Sequence, residues 1–273
     1  MSFEKPDLDT ESSKSEQEPL APDFLQEQVR LPEDQWDEKF RKLIEEKIRE
    51  DQQENERFRK SVEEEVDEPE EPPEILRERD FKRYTVGLGL DETKLKDKKI
   101  LDLGCCEGEF VKFLIEKGIT PEAYGLDLEL DETAIEDKFK AHFFQGNFEE
   151  DLPVKNVDYV VSVGAVSNGI CAGEEVMDIR RIVEKSLASL KEGGEVRMYP
   201  MQEAAKATMI FEEGLVKSQQ KWDELLAEIS ETQGVEYKIE PRNIKVLVGK
   251  NNNDIILESV LIIRRKKEKH LDK

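Results

Sequence analysis

The chain has 273 residues, enough for one full-sized domain with an extra segment or for two small domains. Its formal net charge of −23, with no strongly basic face visible in the sequence, argues against a nucleic-acid substrate, because a negative protein repels polyphosphate backbones. No apolar run approaches the ~20 residues of a membrane-spanning helix, the N-terminus is too polar for a secretory signal, and none of the three cysteines forms a Cys-x-x-Cys pair. We therefore expect a soluble, cytoplasmic protein with no membrane partner.

Most of the negative charge lies in the N-terminal quarter of the chain, where residues 1–74 hold 26 Asp and Glu residues against 11 Lys and Arg residues. Residues 1–32 are rich in Ser, Glu, Pro and Asp and have few apolar anchors, which predicts an acidic disordered tail. Residues 33–66 predict an amphipathic helical arm, because apolar side chains recur on one face at helical spacing: Trp36, Phe40, Leu43, Ile44 and Ile48.

Sequence alone leaves the role of this arm open. A solvated helix docked through its first half is the preferred interpretation, since only Phe58 and Val62 continue the apolar stripe beyond Ile48. The alternative is a lid or a partner-binding arm. Residues 67–74 form a linker rich in Pro and Glu that cannot continue the helix.

The main domain is predicted over 75–268, with a short tail over 269–273. It opens with a basic helical segment, ILRERDFKRY, followed by the apolar run around Leu101 that is typical of a buried parallel strand. Next comes the turn Asp-Leu-Gly-Cys-Cys-Glu-Gly that ends at Gly108, and then a helical pattern. Glycine permits backbone angles that a Cβ forbids, and a helix N-terminus offers free N–H groups. The pattern therefore predicts a ligand-binding turn.

This turn resembles the acidic-x-Gly-x-Gly-x-Gly motif of the class I S-adenosylmethionine-dependent methyltransferases. One position departs from the motif, because Cys106 stands where the family has its middle glycine and narrows the allowed backbone angles. A dinucleotide fingerprint fits less well, since Gly-x-Gly-x-x-Gly counted from Gly104 meets Cys106 and Glu109.

Two further motifs follow in the order of that family. A second strand is predicted over 123–128, with Asp127 near its end, where a carboxylate can accept the ribose hydroxyls of an adenosine. The segment HFFQGNF resembles the third motif. By this resemblance Asn147 takes the place of the usual Asp beside the adenine amino group, and Phe148 offers a backbone N–H and a ring face. The resemblance implies S-adenosylmethionine as the cofactor, with Asp102 at its amino group, Asp127 at its ribose, and the full set of binding residues Asp102, Gly104, Cys106, Gly108, Asp127, Asn147, Phe148 and Gly164.

The predicted strand 157–163 ends in the loop Gly-Ala-Val-Ser-Asn-Gly over 164–169. Open parallel sheets bind ligands outside the carboxyl ends of their strands, so this loop is expected to border the reacting methyl group. It lacks the Asn/Asp-Pro-Pro-aromatic motif, which argues against methylation of a base amino group. Ser167 and Asn168 are candidates to hydrogen-bond a substrate, although such a turn needs no function. Arg83 and Tyr84 are candidates to reach the carboxylate of the cofactor.

The remaining pattern predicts alternating helices and strands: a helix over 174–190 ended by glycine, a strand over 195–201, a helix over 204–229 broken at Gly214, and strands over 235–240 and 259–263. By resemblance, the fold class is α/β: a Rossmann-like, seven-stranded, mostly parallel sheet with helices on both faces and an antiparallel last strand, plus the N-terminal arm. His142 and His270 stand alone, so no metal site is predicted.

The expected activity is methyl transfer from S-adenosylmethionine to a small molecule or a protein side chain, with no catalytic residue assigned and the oligomeric state open. In such chemistry the protein mainly positions the nucleophile and excludes water. The alternative is an inactive protein of the same fold whose acidic arm docks a partner, which Cys106 favours and the retained Asp102 and Asp127 oppose. Transfer of an aminopropyl group is opposed by the absence of paired aspartates after the fourth strand.

Overall fold

The computed structural model describes residues 21–64, 72–167, 178–206, 210–232, 234–248 and 253–265. The linker prediction falls mostly outside these ranges, as do Asn168 and the tail over 269–273. In the described part of the chain no helix is long and apolar enough to cross a membrane.

The described residues form helices and strands that alternate through the main domain. The helices are α1 (Pro22–Arg30), α2 (Glu38–Glu64), α3 (Pro73–Leu88), α4 (Glu92–Leu95), α5 (Glu109–Glu116), α6 (Ile179–Ser189) and α7 (Ile210–Thr232). The strands are β1 (Ile100–Leu103), β2 (Ala123–Asp127), β3 (Phe143–Gln145), β4 (Val157–Val163), β5 (Leu190–Lys206), β6 (Val235–Val248) and β7 (Asn253–Arg265).

The strands make one seven-stranded sheet in the order β3-β2-β1-β4-β5-β7-β6. Strands β1 to β5 run parallel, and β7 lies antiparallel between β5 and β6. The predicted Rossmann-like sheet with its antiparallel last strand is therefore confirmed. The strand order reverses between β1 and β4, and in open parallel sheets such a reversal leaves a crevice at the carboxyl ends of the strands.

Helices cover both faces of the sheet. Leu101 and Leu103 of β1 pack in a core cluster with α6 and α7, whereas Ile100 packs on the other face with α3 and α5. Burial on both faces explains why these strands are continuous apolar runs rather than alternating patterns. Asp102 is the exception in β1, and it faces α3.

The N-terminal helices pack against the hairpin formed by β6 and β7. Leu25 of α1 and Phe40 and Ile44 of α2 join a third cluster whose other buried members belong to the hairpin: Ile244, Val246, Ile255 and Leu257. The first half of α2 thus docks on the sheet edge. Residues 1–20 of the predicted disordered tail over 1–32 lie outside the described residues. Residues 22–30 form α1, because a short apolar face finds a partner on the hairpin that average composition does not reveal. The buried Gln28 also accepts the backbone N–H of Asp37 through Oε1 at 2.6 Å.

The C-terminal strands are longer than predicted. Residues 190–194 and 202–206 belong to β5, so the helix predicted to end at a glycine ends at Ser189, and α7 begins only at Ile210. Helix α7 also continues through Gly214, where a break was predicted. The extension of β5 exists because it pairs with β7, from Met201 opposite Ser259 to Lys206 opposite Ile255. Such long-range pairing leaves no local signal in the sequence.

A buried arginine ties α3 to the rest of the domain. Arg77 donates from Nε to Glu109 at 2.8 Å, from Nη1 to Glu116 at 2.6 Å and from Nη2 to Glu136 at 2.5 Å. Its side chain is only 8% exposed. The guanidinium satisfies three carboxylates on α5 and the segment after β2, and so holds α3 in place over the carboxyl ends of the strands.

Replacing this cation should destabilise the protein. We expect Arg77→Met to lower the free energy of unfolding by about 2 kcal/mol, because three charged hydrogen bonds are lost. Glu109, the most buried of the three carboxylates, then keeps only Lys112 as its partner. Arg180→Met is the matched control: Arg180 pairs with Glu228 on the surface, where each side chain is nearly half exposed, and its loss should change the free energy of unfolding much less. Urea unfolding followed by circular dichroism measures both, and equal losses would contradict the assignment.

Candidate active site

The turn between β1 and α5 is built from residues with left-handed backbone angles. Gly104 has φ 75°, Cys106 has φ 49° and Gly108 has φ 76°. A Cβ at Gly104 would overlap the side chain of Ala165, and one at Gly108 would overlap the ring of Phe143. Glycine is therefore required at both positions by backbone angle and by space.

Asp102 lies directly before this turn and is fully buried. Its Oδ2 accepts a hydrogen bond from the Tyr84 hydroxyl at 2.9 Å, whereas Oδ1 has no partner among the described residues. Burial raises the pKa of Asp102 to about 7, although the Tyr84 hydrogen bond and the charge of Arg83 act in the opposite direction. A buried carboxylate oxygen without a donor fits a cationic ligand group such as an ammonium.

Asp127 ends β2 and connects to the same turn. Its Oδ2 accepts the backbone N–H of Cys106 at 2.8 Å, and its Oδ1 accepts the N–H of Glu129 at 3.0 Å. These bonds fix the carboxylate while each oxygen keeps a further lone pair, since an ionised carboxylate offers about four acceptor sites. The structure thus brings Asp102, the turn and Asp127 together, and the held carboxylate suits a pair of hydroxyl groups.

Asn147 and Phe148 follow β3, which pairs with β2 so that Gln145 lies opposite Asp127. Asn147 accepts the backbone N–H of Glu149 through Oδ1 at 2.9 Å, which shapes the turn. The ring of Phe148 is buried in the core cluster on the α6 side. The ring therefore packs in the protein interior and is not available to a ligand. Only the backbone N–H of Phe148 remains a candidate.

Leu128 is a candidate that the sequence reasoning missed. It follows Asp127 directly and is 58% exposed, and its carbonyl accepts a hydrogen bond from the Gln145 side chain at 3.3 Å. An exposed leucine beside the fixed carboxylate of Asp127 offers apolar surface to a flat ring. The signal in the sequence that could have identified Leu128 was its position immediately after Asp127.

Gly164 stands at the end of β4, as predicted, and has φ 84°. Its N–H donates to the carbonyl of Tyr199 at 2.8 Å. Nη2 of Arg83 lies 4.0 Å from the place that a Cβ on Gly164 would occupy. The guanidinium of Arg83 is therefore near Gly164, Asp102 and the Tyr84 ring, whose centre is 5.7 Å away, in position to meet an anionic group.

A buried tyrosine and glutamate lie beside Gly164 and were not identified from the sequence. The Tyr199 hydroxyl donates to Oε2 of Glu258 at 2.6 Å, and the Asn243 side chain donates to the same oxygen at 3.1 Å. Burial and the charge of Glu258 raise the pKa of Tyr199 well above its ordinary range. The phenol therefore remains protonated. These groups come from β5, β6 and β7, so no local pattern announces them.

The fold and this site define a class I S-adenosylmethionine-dependent methyltransferase, whose methyl donor is S-adenosylmethionine. The sequence model of the FtsJ-like methyltransferase family matches residues 87–236, more than half of the chain. The chain belongs to the FtsJ-like methyltransferase family. No curated protein matches the sequence.

Solved structures with similarity to this chain are distant. An O-methyltransferase from neocarzinostatin biosynthesis, in complex with S-adenosyl-L-homocysteine and 1,4-dihydroxy-2-naphthoic acid, is 14% identical over 70% of this chain and 57% of that chain, with a TM-score of 0.41. The plantazolicin methyltransferase is 15% identical over 72% and 87% of the two chains, with a TM-score of 0.41. A putative methyltransferase from Bacillus halodurans is 14% identical over 63% and 97%, with a TM-score of 0.40. At this similarity none of them bears on the substrate of this chain.

The raised pKa of Asp102 predicts that cofactor affinity depends on pH. An ammonium group pairs only with the ionised carboxylate, so binding below pH 7 must release the proton that burial retains. We expect the Kd of S-adenosylhomocysteine to rise as pH falls from 7, by up to about tenfold per unit. Calorimetry across this range measures it. Asp102→Asn should bind weakly with no such slope, and a flat profile in the wild type would contradict the role of Asp102.

The left-handed backbone of Cys106 predicts that glycine is tolerated there. Its N–H, not its side chain, contacts Asp127, and a non-glycine residue at such angles costs about 1–2 kcal/mol. We expect Cys106→Gly to keep the affinity for S-adenosylhomocysteine and to keep or raise thermal stability. Cys106→Val should lose both, because a β-branched residue avoids positive φ.

Asn156→Gly is the matched control for this change. Asn156 also has a left-handed backbone, with φ 56°, but precedes β4 at the amino end of the sheet. Its substitution should change stability alone. A large loss of affinity in Cys106→Gly would show that the thiol itself contributes to binding.

Proposed function

We propose that the protein methylates a small molecule or a protein side chain, using S-adenosylmethionine held at the carboxyl ends of β1, β2 and β4. The observation that carries this proposal is the fully buried Asp102, whose Oδ1 has no partner among the described residues, next to a turn that excludes side chains at Gly104 and Gly108. Such a site costs stability unless a cationic ligand group completes it.

Each candidate residue would contact a different part of the cofactor. Asp102 would accept its ammonium group and Arg83 would face its carboxylate. Asp127 would accept the ribose hydroxyls, and Leu128 would pack on the base. The backbone N–H groups near Asn147 and Phe148 would bind the adenine edge, while Gly104, Cys106, Gly108 and Gly164 would leave room along the backbone.

The acceptor side lies where Gly164 and Tyr199 meet. S-adenosylmethionine supplies an electrophilic methyl group, so a hydroxyl or amine acceptor must lose a proton as it is methylated. Oε2 of Glu258, already hydrogen-bonded to the Tyr199 hydroxyl at 2.6 Å, is the carboxylate placed to hold that proton. Tyr199 would pass it on, because its own proton moves to Glu258 as it receives the new one. The acidic chain continues to disfavour nucleic acid as the acceptor.

The test is calorimetric titration of S-adenosylmethionine and S-adenosylhomocysteine into three proteins. We expect micromolar binding by the wild type and at least about tenfold weaker binding by Asp127→Ala, because hydrogen bonds to a charged group are worth ~1.5–3 kcal/mol. Asp131→Ala is the matched control. Asp131 is an exposed aspartate in the same connection whose Oδ1 accepts hydrogen bonds from Thr133.

Circular dichroism checks that each variant is folded, since Asp127 also holds the N–H of Cys106. Wild-type binding that Asp127→Ala loses and Asp131→Ala keeps would support the site and justify a screen of acceptors. If the folded wild type binds neither compound, the proposal fails, and the chain would be an inactive protein of this fold.

A further inference from the structure

A second cleft lies on the α7 side of the sheet, beyond the carboxyl end of β4 and alongside the part of β5 that continues past it. It is partly enclosed and opens to solvent. Ser167, which ends the described loop after β4, lies on one side, and Trp222 of α7 lies on another. The strands supply the floor, with Met201 of β5 and Ser259 of β7. Gln202, whose side chain reaches Glu258 at 3.4 Å, also borders this cleft. The cleft is therefore adjacent to the proposed acceptor side.

Two residues that line this cleft each carry a buried polar atom with no hydrogen-bond partner among the described residues. These atoms are Nε1 of Trp222, whose residue is 2% exposed, and Oγ of Ser167, whose residue is 4% exposed. Buried polar groups are nearly always hydrogen-bonded, and leaving one unpaired costs about 1–3 kcal/mol. An indole N–H can only donate, and a serine hydroxyl can donate or accept. A ligand oxygen that accepts hydrogen bonds could therefore satisfy both Trp222 Nε1 and Ser167 Oγ.

The charges around the cleft narrow the ligand further. Among the described residues that line it, the charged ones are Glu203 and Asp223, and none is Lys, Arg or His. Carboxylates disfavour an anionic ligand in the same cleft by like-charge repulsion. The surrounding surface from Met201 and Trp222 is apolar. A neutral carbonyl or carboxamide group matches these conditions, whereas a carboxylate of the same size does not.

We propose that this cleft is the subsite that orients the methyl acceptor, and that it binds an uncharged carbonyl or carboxamide group through Trp222 Nε1 and Ser167 Oγ. The assignment of the occupant as acceptor rests on the proposed function. It predicts a substrate that carries a neutral carbonyl oxygen near the atom to be methylated, and it excludes acceptors that present a carboxylate or a phosphate at this point.

The experiment uses the two tryptophans of the full chain as a built-in pair. Acetamide is titrated into ¹⁵N-labelled protein while the two indole N–H signals are followed by NMR. Trp36 is the internal control, because its Nε1 already donates to the carbonyl of Leu31 at 3.0 Å. Acetate is the matched ligand control, because it has the same size as acetamide but carries the negative charge that the cleft is expected to disfavour. Trp222→Phe assigns the signals.

We expect acetamide to shift the Trp222 signal saturably, with no shift of Trp36 and none from acetate. Ser167→Ala should weaken acetamide binding by about fivefold, as expected for the loss of one hydrogen bond. Absence of a Trp222 shift, equal shifts of both indoles, or an equal effect of acetate would overturn the proposal.

S-adenosylhomocysteine is titrated into the same samples. If it binds while acetamide does not, the subsite alone fails. If acetamide binds while S-adenosylhomocysteine does not, the proposed methyl transfer fails, and with it the assignment of the cleft to an acceptor.

Discussion

The structure depends on a carboxylate buried at the end of the first strand. Asp102 lies within a sheet covered by helices on both faces, and among the described residues only one of its oxygens has a partner, the hydroxyl of Tyr84 on α3. Helix α3 must therefore be held firmly, and the three carboxylates around Arg77 do so from its other end. The rigid scaffold allows the protein to bury this carboxylate at a cost in free energy. A cationic ligand that pairs with the carboxylate would offset that cost.

Around Asp102, backbone angles and a backbone N–H, rather than side chains, set the geometry of the turn. The turn after β1 needs left-handed angles at Gly104, Cys106 and Gly108, and its connection to Asp127 is made by a backbone N–H. A cysteine in a glycine position thus preserves the hydrogen bond at the cost of some backbone strain. Departure from a sequence motif does not by itself mean loss of the geometry that the motif encodes.

The carboxyl edge of the sheet has two neighbouring polar regions on opposite faces of β5. On the α3 side, Tyr199 and Glu258 form a buried pair, and on the α7 side, Trp222 and Ser167 line an open cleft. The pairing of β5 with β7 is irregular between Met198 and Met201, close to both regions. An irregularity of this kind re-aims the side chains around it, so the strand that extends to meet the long hairpin also shapes the region where we propose that the acceptor binds.

The sequence by itself determined the turn after β1 and the carboxylate at the end of β2, because apolar runs, glycines and charged strand ends are local signals. Its resemblance to a known family supplied the fold class and the antiparallel last strand. Only the tertiary structure decided which of Arg83 and Tyr84 bonds Asp102, that the ring of Phe148 belongs to the core, and that α1 folds onto the hairpin. It also brought together Tyr199 with Glu258 and Ser167 with Trp222. These contacts join segments far apart in the chain, and strand pairing and burial between such segments depend on the whole packed fold rather than on any local pattern.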